Sequence, residues 1–316
     1  MSTAPVLAST REELFNLLAG ARRSGAKVGL VPTMGALHTG HASLMDTARE
    51  AVGDGPVVVS IFVNPLQFGA GEDLDRYPRT LEDDLEVCAE RGVDIVFAPA
   101  VDEVYPGSEE GVVEPRVTLD PGPLGTILEG ATRPGHFRGV LIVVAKLFGL
   151  VRPDIAVFGQ KDYQQLALIR QMADDLCLGI DVIGAATVRE DDGLALSSRN
   201  RYLEPRQRVQ AVALSRALLK ARANAAGGAD AALAAAGDEL RAADGVDLDY
   251  LVITGTDLGT APATGTARIL VAARVGTTRL IDNMPIELGT SGAPVPHQTS
   301  PETSQKTEGD RTCCAP

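Results

Sequence analysis

The sequence predicts an α/β fold: a doubly wound parallel sheet with helices on both faces, followed by a smaller α+β C-terminal domain. Three observations predict it. Over the first 190 residues, short apolar runs rich in β-branched residues alternate with amphipathic stretches of helical period. Near residue 200 the composition shifts to Ala-rich helical patterns and then to three β-like runs. The length, 316 residues, gives room for about two domains. Strands alternating with helices imply right-handed βαβ crossovers, and ligands of such sheets lie at the carboxyl ends of the strands.

Taken in order, Lys27 to Thr33 is a short β-like run containing Pro32. His41 to Ala51 is helical, with Leu44, Met45, Ala48 and Ala51 on one stripe. Pro56 to Val63 (PVVVSIFV) has the pattern of a strand covered on both faces. Arg79 to Arg91 is a charged amphipathic helix with Leu81, Leu85 and Cys88 inward, and Val93 to Ala98 is another buried strand. Gly139 to Leu150 is an apolar helix, Ile155 to Phe158 a strand, Asp162 to Leu178 a helix and Ile180 to Val188 a strand. Pro205 suits the first turn of a helix running to about Ala225, which Gly227-Gly228 ends. Ala229 to Ala243 is an Ala-rich helix. The β-like runs are Leu248 to Thr254, Arg268 to Val275 and Thr278 to Glu287, the last two joined by a tight turn at Gly276-Thr277. The expected division is 1–188, 189–289 and a tail, 290–316, too poor in apolar residues to fold.

Composition excludes several functions. Asp and Glu number 42 against 29 Lys and Arg, a formal charge of −13. Nucleic acid and anionic membranes reward basic faces, so neither is expected as a partner. The longest apolar run, Gly139 to Val151, contains Lys146 and is shorter than the roughly 20 residues that span a bilayer. The N-terminus has no basic patch followed by an apolar stretch, so no secretory signal is expected. Cys88 and Cys177 sit alone in helix-like patterns and are expected to be small buried hydrophobes, while Cys313 and Cys314 are adjacent in the tail. No spacing suggests zinc or a disulfide framework, which points to a reducing cytoplasm.

Five segments can carry chemistry. Pro32 to His41 (PTMGALHTGH) lies where a buried strand gives way to a helix. Gly35 and Gly40 let a ligand approach the backbone, and the helix start offers free N–H groups and a positive dipole end to an anion. Two of the four histidines in the chain, His38 and His41, fall here, three apart and so on one side of a helical turn. They can donate to phosphate oxygens as charge builds. A helix cap with incidental histidines fits the same residues, and a metal site would need a third ligand that the segment does not offer.

Phe62 to Phe68 (FVNPLQF) puts two amides, Asn64 and Gln67, at a strand exit, where they suit the hydroxyl and carboxylate of a hydroxy acid. An ordinary strand-to-loop exit is the alternative. Arg133 to Gly139 (RPGHFRG) is basic and Gly-rich, and by itself fits a surface turn. Val157 to Gln165 (VFGQKDYQQ) offers Gly159, the Lys161 cation and Asp162, which can accept from a ribose hydroxyl or cap the next helix. Gly193 to Arg201 (GLALSSRNR) has two hydroxyls before a fixed cation, Arg199, an arrangement that can wrap a polyphosphate. Its place at the domain boundary suits a closing lid as well as a solvated loop.

The stretches VPTMGALHTGH, SIFVNPLQF, FGQKDYQQL and LALSSRNRYL, in that order, resemble the pantothenate synthetase (pantoate–β-alanine ligase) family of the HIGH-motif nucleotidyltransferase superfamily. The likeness runs from about residue 6 to residue 289. It implies a Rossmann-like N-terminal domain with a smaller α+β lid, a homodimer, and an AMP-forming ligase. Pantoate would attack the α-phosphate of ATP, which Mg2+ accompanies. Pyrophosphate would leave, and β-alanine would displace AMP from an enzyme-bound pantoyl adenylate.

Carried over residue by residue, the resemblance assigns Met34, Gly35, Ala36, Leu37, His38, Thr39, Gly40 and His41 to the nucleotide. His38 and His41 fall at the phosphates, where they stabilise charge. Gly159, Gln160, Lys161, Asp162 and Val188 would complete the nucleotide site, and Leu196, Ser197, Ser198 and Arg199 would clamp the triphosphate. His41, His38, Lys161 and Arg199 would carry the catalysis. Gln67 would touch both pantoate and β-alanine, and Gln165 pantoate. No residue is assigned to a metal. Two positions depart from the family pattern: Gln160 stands where Glu is common, and Thr39 where the residue between the histidines is usually acidic.

The charge distribution accommodates this assignment. Six Lys or Arg face three Asp or Glu between Glu129 and Arg170, a local +3. The acidic excess lies elsewhere, for example between Glu72 and Asp94. Two other functions share these motifs: a nucleotidyltransferase that stops at an adenylylated or cytidylylated phosphate ester, and a nucleotide-binding scaffold without chemistry. The two glutamines at strand ends favour a carboxylate substrate over the first, and the intact set of histidines and cations disfavours the second.

Overall fold

The computed structural model describes residues 4–69, 74, 77–107 and 115–289. The tail expected from residue 290, with Cys313 and Cys314, lies outside the described residues. The first elements are β1 (Val6–Ala8), α1 (Arg11–Ser24), β2 (Gly29–Thr33), α2 (Thr39–Val52), β3 (Val57–Ile61), α3 (Leu81–Glu90) and β4 (Ile95–Phe97). Two single-turn helices follow, α4 (Val101–Val104) and α5 (Glu129–Thr132), and then α6 (His136–Val151), β5 (Ile155–Gly159), α7 (Tyr163–Asp175) and β6 (Asp181–Ala185). The six strands form one parallel sheet in the order β1-β4-β3-β2-β5-β6.

That order decides where a ligand can bind. From β2 the chain moves to β3 on one side, and it later returns to place β5 on the other. The strand order therefore reverses at β2, and a crevice opens between the carboxyl ends of β2 and β5. The sheet is covered on both faces. Apolar α6, with Val140 to Val144 all buried, fills one side with α1 and α7, while α2 and α3 cover the other. The one lysine in α6, Lys146, places its ammonium 5.2 Å from the ring centre of Tyr105.

Beyond β6 come α8 (Pro205–Asn224), α9 (Ala229–Ala242), β7 (Val246–Thr254), β8 (Gly265–Val275) and β9 (Thr278–Leu288). Pro205 occupies the first turn of α8. The three strands make an antiparallel sheet, β7-β8-β9, whose inner face packs on α8 and α9 around Leu214, Leu218, Ile269 and Ile286.

The structure differs from the sequence expectations in a few elements. Strand β1 and helix α1 were not expected. Helix α1 carries a capping box in which the Thr10 hydroxyl accepts from the Glu13 N–H while the Glu13 carboxylate accepts from Ser9 and Thr10. In α3 Leu81 is exposed, and Asp84 shares the buried stripe with Cys88. Cys88 is buried as expected, and desolvation pushes its thiol up to about 12. Cys177 is not: it follows α7 in a left-handed conformation (φ 51°) and is exposed.

Candidate active site

The β2-to-α2 connection crosses the mouth of the crevice. Gly35 and Ala36 both take positive φ (82° and 51°), which turns the chain sharply before α2. Asp84 fixes this turn from below. Its carboxylate, buried in α3, accepts the N–H groups of Ala36 (3.1 Å) and Leu37 (2.7 Å) and the Thr80 hydroxyl (3.3 Å). The Thr33 hydroxyl donates to the Ser60 carbonyl at 2.7 Å and accepts the Gly35 N–H, joining the turn to β3.

His38 is the N-cap of α2, with its Nδ1 accepting the Gly40 N–H at 3.1 Å. His41 Nδ1 accepts the His38 N–H at 3.3 Å. A nitrogen that accepts carries no proton, so each neutral ring holds its hydrogen on Nε2. The rings lie 4.1 Å apart, centre to centre. Desolvation, then His38 and Lys161, outweigh the opposite pull of Asp162 and depress the His41 imidazole to about 3. His38 is lowered by desolvation and by the Lys161 and Arg201 cations. At neutral pH the cleft therefore presents two uncharged N–H donors.

Across the crevice, β5 ends in a turn, Gln160–Asp162, that leads directly into α7. Lys161 Nζ is 3.9 Å from the Asp162 carboxylate. Desolvation would raise Asp162, but Lys161, Arg199, His136 and Arg133 together hold it below its usual range, so it stays ionised. Asp162 does not cap α7 with its side chain. A third wall comes from Val188 and Leu196 to Arg199, where Ser197 caps a short turn by accepting the Arg199 N–H. These walls enclose a cleft of about 220 Å³.

A second chamber, about 180 Å³, opens behind Met34 and His41. One side is apolar, from Phe62, Val140, Val143, Val144, Leu147 and Phe158, and Gln67 and Gln165 are among the polar groups facing it. Asn64, also at this wall, is fully committed. Its Oδ1 accepts from Leu66 N–H and Tyr105 hydroxyl, and its Nδ2 donates to the Gly139 carbonyl and to Gln67 Oε1, both at 3.1 Å. The bond to Gln67 Oε1 turns the Gln67 amide nitrogen toward Met34 Sδ (2.9 Å), a weak acceptor, and into the chamber. Close packing at Gly139 sets this turn, because a Cβ there would lie 2.1 Å from the Leu66 carbonyl oxygen. The two chambers share Pro32, Met34, His41, Tyr77, Phe158, Asp162 and Gln165.

The pantoate–β-alanine ligase family model matches residues 6–285. The chain belongs to the pantoate–β-alanine ligase family. It is 71% identical over 316 residues to a pantothenate synthetase of Nocardioides sp., covering 98% of this chain and 92% of that protein. It is 57% identical to the pantothenate synthetase of Mycolicibacterium smegmatis over 85% of this chain and 84% of that one. Among solved structures, a pantothenate synthetase of Thermus thermophilus superposes with a TM-score of 0.78 at 48% identity, covering 88% of this chain and 98% of that one. The Francisella tularensis pantoate–β-alanine ligase, complexed with β-γ ATP and β-alanine, gives a TM-score of 0.71 at 33% identity, with 89% and 97% covered. The chain is thus a pantothenate-forming ligase.

A pantoate–β-alanine ligase has to bring three substrates together, and most of the expected residues converge on the two chambers. Met34, His38, Gly40, His41, Gly159, Lys161, Asp162, Val188 and Leu196 to Arg199 line the cleft, Gln67 the second chamber, and Gln165 both. Gly35 and Ala36 are buried behind the turn, Leu37 packs on the core beneath it, and Thr39 faces outward from α2. Gln160 turns away from the cleft: its Nε2 donates to the Gly184 carbonyl (2.8 Å), and its Oε1 accepts from Arg268 (3.1 Å).

Several residues of this ligase were not singled out from sequence. Tyr77, Arg201 and Tyr202 line the cleft, the last two within the same motif as Arg199. His136, in the basic Gly-rich segment, joins Arg133 to the site. An Arg133 N–H can only donate, so His136 Nε2 accepts it at 3.1 Å and His136 Nδ1–H donates to the Gln67 carbonyl at 2.9 Å.

Among the described residues no group of three or more His, Cys, Asp or Glu is arranged to hold an ion. Asp162, held ionised by Lys161 and Arg199, is a carboxylate that would suit one coordination position of a metal ion accompanying a nucleotide.

Proposed function

We propose that the cleft binds ATP with its phosphates over His38, His41, Lys161 and Arg199. Pantoate occupies the second chamber, held by Gln67 and Gln165, with its dimethyl carbon skeleton against the apolar wall. A pantoate carboxylate oxygen forms a bond to the α-phosphorus as the bond from that phosphorus to the pyrophosphate oxygen breaks. The amine of β-alanine, placed by Gln67, then attacks the acyl carbon. AMP leaves with the bonding electron pair, and the amine gives up a proton. Phosphoryl chemistry of this kind depends on positioning and charge stabilisation. The chain supplies both: neutral Nε2–H donors and two cations on the phosphates, and oriented amides on the acid. Mg2+ bound with ATP, with Asp162 beside it, belongs to the same proposal. So do a homodimeric assembly, a cytoplasmic location, and a division into residues 1–188, which hold nucleotide and pantoate, and a lid of residues 189–289.

The observation that carries this proposal is the junction of the chambers. Met34, His41, Asp162 and Gln165 line both, so a carboxylate bound in one would lie next to phosphates bound in the other. An AMP-release assay with ATP, pantoate and β-alanine, each omitted in turn, tests it. AMP should appear in multiple turnovers only with all three present. A stable adenylylated product with no AMP would instead identify a simple nucleotidyltransferase.

A further inference from the structure

Two adjacent residues of β9, Asp282 and Asn283, are buried (each 3% exposed) far along the chain from every motif that lines the cleft. Neighbouring strand residues point to opposite faces, so the two side chains reach different targets. Asn283 Nδ2 donates to the carbonyls of both Gln160 and Lys161, each at 2.9 Å. Its amide cannot flip, because Oδ1 accepts from Arg268 Nη1. Arg268 is itself held, with its guanidinium 3.7 Å from the ring centre of Tyr163 and Nη2 on Gln160 Oε1. The turn that carries Lys161 is thus fastened through its backbone to the antiparallel sheet.

Asp282 fastens the opposite wall. Its carboxylate takes Arg189 in a bidentate pair, at 2.7 and 2.9 Å, and accepts the Asn283 N–H at 2.7 Å. Arg189 follows Val188 and closes the loop that ends in the Arg199 segment. Its Nη1 also donates to the Gly193 carbonyl, it bridges Ala195, and the Leu196 N–H returns to the Val188 carbonyl.

We propose that Asp282 and Asn283 are positioning residues for the first half-reaction, Asn283 acting through Lys161 and Asp282 through Arg199. The proposal rests on Lys161 and Arg199 holding the ATP phosphates. One strand then sets the spacing of the two cations across the nucleotide. Because the second half-reaction no longer involves pyrophosphate, the effect is confined to adenylate formation.

The test is a double-mutant cycle read in single turnover. Pyrophosphate release from ATP and pantoate reports adenylation, and β-alanine added to preformed pantoyl adenylate reports aminolysis. N283A and the near-isosteric N283D, which keeps the Arg268 contact but loses both donors, are each expected to slow adenylation at least tenfold. Aminolysis and the KM for β-alanine should stay within twofold of wild type, which also shows that the variants are folded. N283A should cost nothing further in a K161A background and should still slow R199A. D282N should show the reverse pattern. Wild-type adenylation by a folded N283D, or an undiminished N283A effect in K161A, overturns the proposal alone. Wild-type adenylation by K161A overturns the phosphate assignment and the proposal with it.

Discussion

His38 and His41 lie with ring centres 4.1 Å apart, and each gives its Nδ1 to a main-chain N–H of the same helix start. The helix cap and the proposed phosphate donors are therefore one structure. Capping fixes the tautomers, and the fixed tautomers turn both Nε2–H groups outward. Because these rings donate without being charged, His41→Ala should slow adenylation by about 10² or more, the scale of losing one transition-state donor. His41→Gln, which keeps an amide N–H at similar reach, should retain more activity than His41→Ala. Equal loss in the two variants would contradict a role as a simple N–H donor.

The same burial has a consequence for stability. The folded-state pKa of His41, about 3, lies below its ordinary value near 6.5, so folding favours the neutral ring. Its stabilising contribution is complete above pH 6.5 and is lost progressively as pH falls toward 3. Between pH 6.5 and 4.5, where most carboxylates are still ionised, urea unfolding of wild type should show falling stability. His41→Gln should flatten that fall, and an unchanged slope would contradict the assignment.

Asn64 spends all its hydrogen bonds inside the protein, so its effect on substrate passes through Gln67. Asn64→Asp removes the donors to Gly139 and Gln67 and sets a carboxylate against their oxygens. The KM for pantoate should rise at least tenfold while that for ATP changes little. Steady-state kinetics with each substrate varied would show the split.

Asp84 holds the turn before His38 from a helix that contributes nothing else to the cleft. Asp84→Ala leaves the Ala36 and Leu37 N–H groups without their acceptor, at about 1–3 kcal/mol for each buried group. Isothermal titration should show weaker ATP binding with pantoate binding retained, and chemical denaturation should show the loss of stability.

Arg279 on β9 and Glu129 on α5 form a bidentate pair at 2.6 and 2.8 Å, with Tyr250 and Asp249 around them, between the two sheets. Arg279→Met should destabilise by about 1.5–3 kcal/mol, in the range of charge-assisted hydrogen bonds. The double variant Arg279→Met/Glu129→Leu should lose less than the two single losses added together, since no unpaired charge remains. Urea titration of the four proteins measures this.

Much of this architecture was legible in the sequence because its signals are local. The β-branched run Val57 to Val59 and the apolar helix through Val140 to Val144 can be satisfied only by a sheet covered on both faces. The motifs fall where those runs end, which placed most of the cleft. What was not legible depends on distant pairings. Asp84 has no signal of its own in a charged amphipathic helix, and its purpose comes from the Ala36 and Leu37 N–H groups, 48 and 47 residues away. Asn64 looked like a ligand contact, but Tyr105 and Gly139, 41 and 75 residues away, take its amide. Asp282 and Asn283 carry no motif, and their partners, Arg189 for the first and the Gln160 and Lys161 carbonyls for the second, lie 93 to 123 residues away. Helix α1 had a readable signal in the Thr10/Glu13 capping box, whereas three-residue β1 at the sheet edge had almost none.

In the proposed reaction the acid in the second chamber attacks the α-phosphorus of the nucleotide in the first. Pantoate labelled with ¹⁸O in its carboxylate tests this directly. One carboxylate oxygen should stay on phosphorus after β-alanine displaces the acyl group, so mass spectrometry should find a single ¹⁸O in the AMP and none in the pyrophosphate. Label in pyrophosphate or inorganic phosphate, with unlabelled AMP or with ADP as the product, would contradict it.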